Sequence, residues 1–518
     1  MPRLLRRRLV TRLVVAGVIL GAAQFTSTAS RASADLVVAV AENLNGLDPQ
    51  DLNDNISQAA SRLTHEGLFK LDRDMKLVPA LAESFAANEE ATEFIFHLRK
   101  GVKFPDGTPF NAGVVKFSFD RGGNPANNLK RQSIYVMIDH TDVVDDNTVK
   151  VTLKYPFGAF PNNLAHPGAQ IVNPKLVQQW GKEFTRHATG TGPYELVSWG
   201  ADTLKLKKNP SYRMAGLPKI DTVTYRSVPE NGTRLAMLQA GEAQFISPVP
   251  PEMIKLAEKN PNITVFDQPS LLSLFSTMNN QRKPFNDIRV RTALNLAVDK
   301  KAYIKVVFSG YADELDSPMA PGLTFYAKQA PWPFDVAKAK ALLTEAGYPN
   351  GFDVTITGGT NTLAKRTMEF LQQQLAVVGV RVTVESLEAG VLTSKLYTNP
   401  APETATIQMY VTGWSSSTGD ADWGIRPFLW SKGYPPVLNN FAYYKNPVVD
   451  EAIEAGLSTV DPKKRAAAYA TAQAVAWKDA ALLYLGMSHN LAAYTKNLKG
   501  ASMRGDAQFN LDDDATLN

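Results

Sequence analysis

The sequence predicts an α/β fold, and three observations carry that expectation. In the second half, helix, glycine stop and strand follow one another, the order of a crossover between parallel strands. In the first half, short runs alternate apolar and polar residues with the period of two that belongs to half-buried strands. Across 518 residues the chain is 44% hydrophobic and 20% charged, enough apolar material for several cores and too much for a disordered chain. No internal repeat, low-complexity tract or long linker occurs. The roughly three domains' worth of chain must therefore interleave closely.

The first 34 residues stand apart. They carry Arg3, Arg6, Arg7, Arg8, Arg12 and Arg31 and no acid, so removing them takes the net charge from +5 to −1. The basic start, the apolar run Leu13 to Ala23 and the small-residue site Ala32-Ser33-Ala34 form a cleavable secretory signal. The apolar run is too short to span a bilayer comfortably. The Arg6-Arg7-Arg8-Leu9-Val10 stretch also permits twin-arginine export. With the leader gone no basic field remains for nucleic acid. The absence of Cys excludes disulfides, thiolate zinc sites, Cys nucleophiles and a lipid-acceptor Cys. The expectation is a soluble periplasmic protein without a lipid anchor.

The elements follow in order. Val37-Val38-Ala39-Val40 is a buried-strand candidate, and Asp48-Pro49 a turn. Phe94 to Leu98 alternates as a strand and leads to the turn Pro105-Asp106-Gly107. Val149 to Lys154 is a further strand, and Gly190-Thr191-Gly192-Pro193-Tyr194 a rigid corner. Asp335 caps a helix with apolar Val336, Ala339, Leu342, Leu343 and Ala346, which Gly347 and Pro349 stop. A second helix is expected over 367–378, halted by Gly379, with the strand Val380 to Val384 after it. Asp461-Pro462 opens an Ala-rich helix.

Enzyme motifs are missing. His65-Glu66 lacks the second His of a zincin helix. Gly413-Trp414-Ser415-Ser416-Ser417 lacks the closing Gly of a nucleophile elbow. No Gly-Lys-Ser/Thr phosphate loop occurs, and the six His are scattered. Neither an enzyme, a metal nor a cofactor is called for. A secreted hydrolase stays open, since unrelated folds assemble catalytic groups from distant residues.

The segment Leu98-Arg99-Lys100-Gly101-Val102-Lys103-Phe104-Pro105-Asp106-Gly107-Thr108-Pro109-Phe110-Asn111-Ala112 resembles the signature of the family 5 solute-binding proteins. These serve ABC importers for peptides, nickel, haem and related solutes. Similar blocks follow at Gly190 to Tyr194, Gly216 to Asp221, Lys283-Pro284-Phe285 with Asp287 and Arg289 to Arg291, and Gly413-Trp414. Within the family, Asn124 to Arg131, Thr233 to Phe245, Gly347 to Phe352 and Thr412 to Trp423 resemble a subgroup that takes glutathione.

The resemblance implies two α/β lobes, a type II periplasmic binding fold that closes on its ligand by hinge motion. Lobe I is expected over 35–272, with an inserted subdomain over about 68–188. Lobe II is expected over 273–488, and 489–518 returns to lobe I. The hinge crossings fall near Pro269–Asn279 and Gly486–Tyr494. The implied function is capture of glutathione or a related small peptide, by a monomer, for an ABC permease and its ATPase in the inner membrane. A di- or oligopeptide, haem or nickel are the other solutes of the family.

Glutathione carries two carboxylates and one ammonium, and burying them unpaired would cost several kcal/mol each. Arg366 and Lys365, at the expected helix start, suit a carboxylate. The resemblance implies the same, since an Arg there takes the peptide carboxylate in dipeptide-binding relatives. Arg131, with Lys130 beside it, is a candidate for the other carboxylate. Peptide-binding relatives place an amine-pairing Asp three residues after Trp414. Here Ser417 stands at that position and cannot form the ion pair, which leaves Asp420 and Asp422 as the nearby acids for the amine. Trp414 is expected at the cleft wall. Asn279 and, more weakly, Asn43 and Asn45 are candidate hydrogen-bonding partners. Arg234 is expected in a structural ion pair.

Overall fold

The computed structural model describes residues 34–398 and 401–518. Apart from Ala34, the expected signal peptide lies outside the described residues. Strands are numbered in chain order, as are helices of eight or more residues. The chain begins with β1 (Asp35–Val40) and α1 (Asn55–Thr64). The hairpin β2 (Phe69–Leu71) and β3 (Leu77–Pro79) follows. Next comes a four-stranded antiparallel sheet of β4 (Ala82–Ala87), β5 (Glu93–Leu98), β6 (Ile138–Asp145) and β7 (Thr148–Leu153), in the order β4-β5-β7-β6. α2 (Ala112–Gly123) lies between β5 and β6 in the chain.

The alternation seen in the sequence decides this sheet. Phe94, Phe96 and Leu98 point into the core while Ile95 and His97 are exposed. The Pro-Asp-Gly turn closes beside it, with the Phe104 amide donating to the Thr108 carbonyl at 2.9 Å and Gly107 at φ +84°.

The chain then returns through β8 (Tyr194–Trp199), β9 (Thr203–Lys208), β10 (Thr222–Ser227), α3 (Asn231–Ala240), β11 (Phe245–Ser247) and α4 (Pro251–Glu258). The corner before β8 needs glycine for space. A Cβ at Gly192 would lie 2.6 Å from the carbonyl carbon of Thr64.

The long strand β12 (Ile263–Met278) is followed by α5 (Ile288–Ala297), α6 (Lys300–Phe308) and the short β13 (Ala312–Asp313). Then come α7 (Val336–Glu345), β14 (Asp353–Gly359), α8 (Thr362–Ala376), β15 (Arg381–Leu387), α9 (Ala389–Tyr397) and β16 (Met409–Trp414). Asp335 caps α7 as expected, accepting the Lys338 amide at 2.8 Å. α8 starts five residues earlier than its apolar pattern suggests. Asn361 supplies the cap, accepting the Ala364 amide at 2.9 Å, and the helix takes in Thr362 to Arg366, of which Thr362, Lys365 and Arg366 are exposed.

Three helices, α10 (Ala421–Leu429), α11 (Pro447–Leu457) and α12 (Pro462–Lys478), precede the second long strand β17 (Leu483–Thr495). The hairpin β18 (Leu498–Met503) and β19 (Phe509–Leu517) ends the chain.

One sheet runs through the molecule in the order β15-β14-β16-β12-β17-β11-β1-β10-β9-β8, with β13 on β17. β14 is parallel to both β15 and β16, which is the predicted crossover arrangement. β12 and β17 join the two halves of this sheet. They pair from Ile263↔Thr495 to Pro269↔His489, lose register, and pair again from Ser273↔Met487 to Ser276↔Leu483. Pro269 has no amide hydrogen to give to the ladder, and the break follows directly after it.

Separate cores fill the two halves. Val38, Tyr225, Phe245 and Phe509 belong to the core of the β1 half. Leu294, Tyr303, Ile356, Met368 and Met409 belong to that of the β14 half. A third core links the four-stranded sheet to α10, α11 and α12, joining Phe94, Phe96 and Phe160 to Ile425, Ile453 and Tyr469.

Candidate ligand-binding cleft

A cavity of about 620 Å³ opens between the two halves of the central sheet. That volume falls within the roughly 300–1,000 Å³ of small-ligand pockets. From the β1 half it is lined by β1, by the loop Ser247 to Pro250 and by Glu252. From the β14 half it is lined by the end of α6, by Tyr311 and by Thr362, Leu363 and Arg366 of α8. Ser488 to Leu491 of β17 also line it, next to the break in the β12–β17 ladder.

A second cavity of about 500 Å³ lies on the other side of the α8 start and shares Leu363. It sits at the carboxyl ends of β14 and β16, bounded by Gly359, Thr360, Thr412 and Gly413. Carboxyl ends of parallel strands are where open α/β sheets receive ligands. A third cavity of about 460 Å³, around Arg62, Glu66 and Asp513, lies wholly within the β1 half and the segments packed on it.

Arg366 lies in the second turn of α8, is exposed, and has no ion pair or side-chain hydrogen bond among the described residues. Side chains of a helix lean toward its N-terminus, so this guanidinium and the unpaired first-turn amides of α8 serve the same wall. A cation beside a helix start is a combination that attracts anions. Lys365 is exposed too, but a neighbouring helix position faces another way, and it lines none of the three cavities.

The acids singled out in the sequence are spent elsewhere. Asp420 is fully buried and accepts two hydrogen bonds from Arg465, at 2.8 and 2.9 Å, while capping α10 through the Asp422 amide at 2.9 Å. Burial works against the Arg465 charge, but Asp420 and Tyr469 together raise the guanidinium's pKa. Asp422 is 1% exposed and holds Arg426 at 2.6 and 2.9 Å, one turn along α10. A ligand ammonium would have to displace an arginine from either carboxylate. That correction follows from partners four and 45 residues away, which a local motif does not show.

The remaining candidates are distributed. Trp414 is half-buried at the end of β16, donates its indole N–H to the Trp423 carbonyl at 2.5 Å, and meets the Trp423 and Phe428 rings at 5.6 and 6.2 Å. Ser417 is half-buried. Asn279 is 2% exposed, donating to the Pro402 carbonyl at 2.9 Å and accepting the Gln281 amide at 3.1 Å. Arg131 donates to the Leu52 carbonyl at 2.5 Å, and Lys130 to that of Asp51 at 3.1 Å. Asn43 is exposed, and Asn45 donates to Asp54 at 2.9 Å. Of the residues read from the sequence as ligand contacts, Arg366 is the one that reaches the cavity between the halves.

Arg234 is structural, though not through an ion pair. Its guanidinium donates to the carbonyls of Val228, Pro229 and Pro248 at 2.7 to 2.9 Å, and to Asn231. Those bonds fix the loop that leads to Glu252.

The sequence reading missed Glu252, Tyr311 and His489. His489 sits between Asp267, at 2.5 Å, and Asp313, at 3.1 Å, next to the hinge-like break. Burial, followed by Glu258 and Asp267, raises the Tyr311 phenol. One available signal was the stretch Ser247-Pro248-Val249-Pro250-Pro251-Glu252, a rigid loop delivering an acid to a helix start. Among the described residues no group of three or more metal-ligating side chains converges. No helix among them is long and apolar enough to cross a membrane.

The model of the bacterial extracellular solute-binding proteins, family 5 (middle), matches residues 76–435. The chain belongs to this family. It is 43% identical over 503 residues to the glutathione-binding protein GsiB of Pectobacterium atrosepticum, covering 97% of each chain. It is 42% identical to the glutathione-binding protein GsiB of Escherichia coli K12, covering 93% of this chain and 94% of that one. Among solved structures it resembles the ABC transporter-associated periplasmic binding protein DppA of Helicobacter pylori in complex with the peptide STSA. That match has a TM-score of 0.74 and 27% identity and covers 92% and 98% of the two chains. HbpA2 of Haemophilus parasuis shares the fold at TM-score 0.83 and 24% identity, over 93% and 100%. The architecture of this family 5 protein is the two-lobed α/β fold of periplasmic binding proteins.

Proposed function

We propose that this chain is the periplasmic substrate-binding component of an ABC importer and that it captures glutathione, reduced or oxidised, or a closely related small peptide. The observation that carries the reading is Arg366, an unpaired guanidinium beside a helix start in the interlobe cavity. It offers a built partner for a ligand carboxylate in a chain 43% identical to a glutathione-binding protein along 97% of its length. The break between Pro269 and Ser273 and the facing stretch of β17 serve as the hinge between the lobes. The inserted subdomain of lobe I runs over about 68–188. The leader is cleaved after Ala34, and the monomer hands its closed, loaded form to a permease powered by a separate ATPase.

The chain does no chemistry on its ligand. Incubation with glutathione followed by mass measurement of both components tests this. Intact ligand recovered with the protein is the expected result, and cleavage products would make the chain a hydrolase instead.

A further inference from the structure

We propose that Glu252 takes the ligand's ammonium group, so that this protein selects ligands with a free amine. The inference rests on the glutathione reading above and names a specificity residue within it.

Among the described residues, three side chains that can carry charge near neutral pH line the interlobe cavity: Glu252, Arg366 and His489. His489 is occupied on both ring nitrogens by Asp267 and Asp313. Glu252 and Arg366 have no ion pair or side-chain hydrogen bond among the described residues. One belongs to α4 in the β1 half and the other to α8 in the β14 half, so the cleft presents one free anion and one free cation from opposite walls. A zwitterion is the ligand class that satisfies both. The other acids placed near the cleft by sequence, Asp420 and Asp422, are closed by Arg465 and Arg426, and Ser417 is neutral.

Glu252 is also held in place. Pro248, Pro250 and Pro251 stiffen the chain before it, the Val249 amide donates to the Leu491 carbonyl at 3.0 Å, and Arg234 grips the Pro248 carbonyl at 2.9 Å. A carboxylate delivered by a rigid, anchored loop loses little freedom on meeting its partner, which is the condition for a strong contact.

The test compares reduced glutathione with glutaryl-cysteinylglycine, which is glutathione without its amino group, on wild type, Glu252→Gln and Glu252→Asp, by calorimetry. Wild type is expected to prefer glutathione at least about tenfold. Glu252→Gln is expected to weaken glutathione about tenfold or more, leave the desamino ligand within about twofold, and so erase the preference. Glu252→Asp should keep part of it. Melting curves of the variants within about 2 °C of wild type show that an exposed helix-start substitution leaves the fold intact. A wild type without preference, or a Glu252→Gln protein that keeps it, overturns the proposal. Failure of the wild type to bind any form of glutathione overturns the underlying ligand reading instead.

Discussion

Asp420→Ala removes a carboxylate with no exposed surface and leaves the Arg465 guanidinium, 5% exposed, with no counter-charge. Arg465 keeps one bond to the Gly456 carbonyl at 3.0 Å and its place 4.9 Å from the Phe325 ring, neither of which replaces an anion. Removing one partner of a buried ion pair costs about 3–5 kcal/mol. The same substitution removes the cap of α10, worth about 1 kcal/mol. Unfolding entropy is about 2.1 cal/mol/K per residue, so roughly 480 folded residues give about 1 kcal/mol/K. The expected fall in Tm is therefore about 4–6 °C, read by calorimetry or circular dichroism without ligand. The double variant Asp420→Ala/Arg465→Met is expected to recover about half of the loss or more, because two apolar groups no longer leave a charge stranded. The reasoning is refuted if Asp420→Ala melts within about 1 °C of wild type yet loses glutathione, for then the carboxylate serves the ligand and not the fold.

Other expected outcomes follow from single residues. Arg366→Ala weakens glutathione binding by at least about 1.5 kcal/mol, more than tenfold in Kd, and an unchanged titration removes it from the site. Gly158→Ala places a Cβ 1.9 Å from the Thr459 carbonyl oxygen, where the Gly158 amide donates to the Leu457 carbonyl at 2.6 Å, and urea unfolding should show a loss of about 1–3 kcal/mol. Lys300 is 6% exposed, and burial pulls its pKa from 10.5 to about 7. Between those values the unfolded chain binds the proton and the native one does not, so this group makes stability rise with pH from about 7 to about 10.5 and destabilises below that window. Lys300→Met should flatten that rise in a pH series of urea titrations, and an unaltered slope would show that the ammonium finds solvent.

The fold was legible where its determinants are local. Alternation marked β5 and β7, Asp335 and Asp461 marked helix starts, and Pro105-Asp106-Gly107 marked a turn, because each depends on residues a few positions apart. The start of α8 was misplaced because the first-turn apolar residues Leu363 and Ala364 are separated from the rest of the stripe by the exposed Lys365 and Arg366. The pairing of β12 with β17 along both halves depends on contacts more than 200 residues apart, which periodicity does not encode. The site divides in the same way. Arg366 stood out as a candidate because cation and helix start are neighbours in sequence. The pairing of Asp420 and Asp422 with arginines, one of them 45 residues on, was not visible in the local motif. Glu252 was not singled out because it meets Arg366 only across a cavity between segments more than 100 residues apart.

On the proposed function, the cavity holding Arg366 captures glutathione. Calorimetric titration of the mature, ligand-stripped protein with reduced glutathione, oxidised glutathione and a simple α-dipeptide tests it most directly. Saturable one-site binding of a glutathione form, with no response to the dipeptide, is the predicted result. Binding of the dipeptide alone would leave the fold and the transport role standing and contradict the ligand.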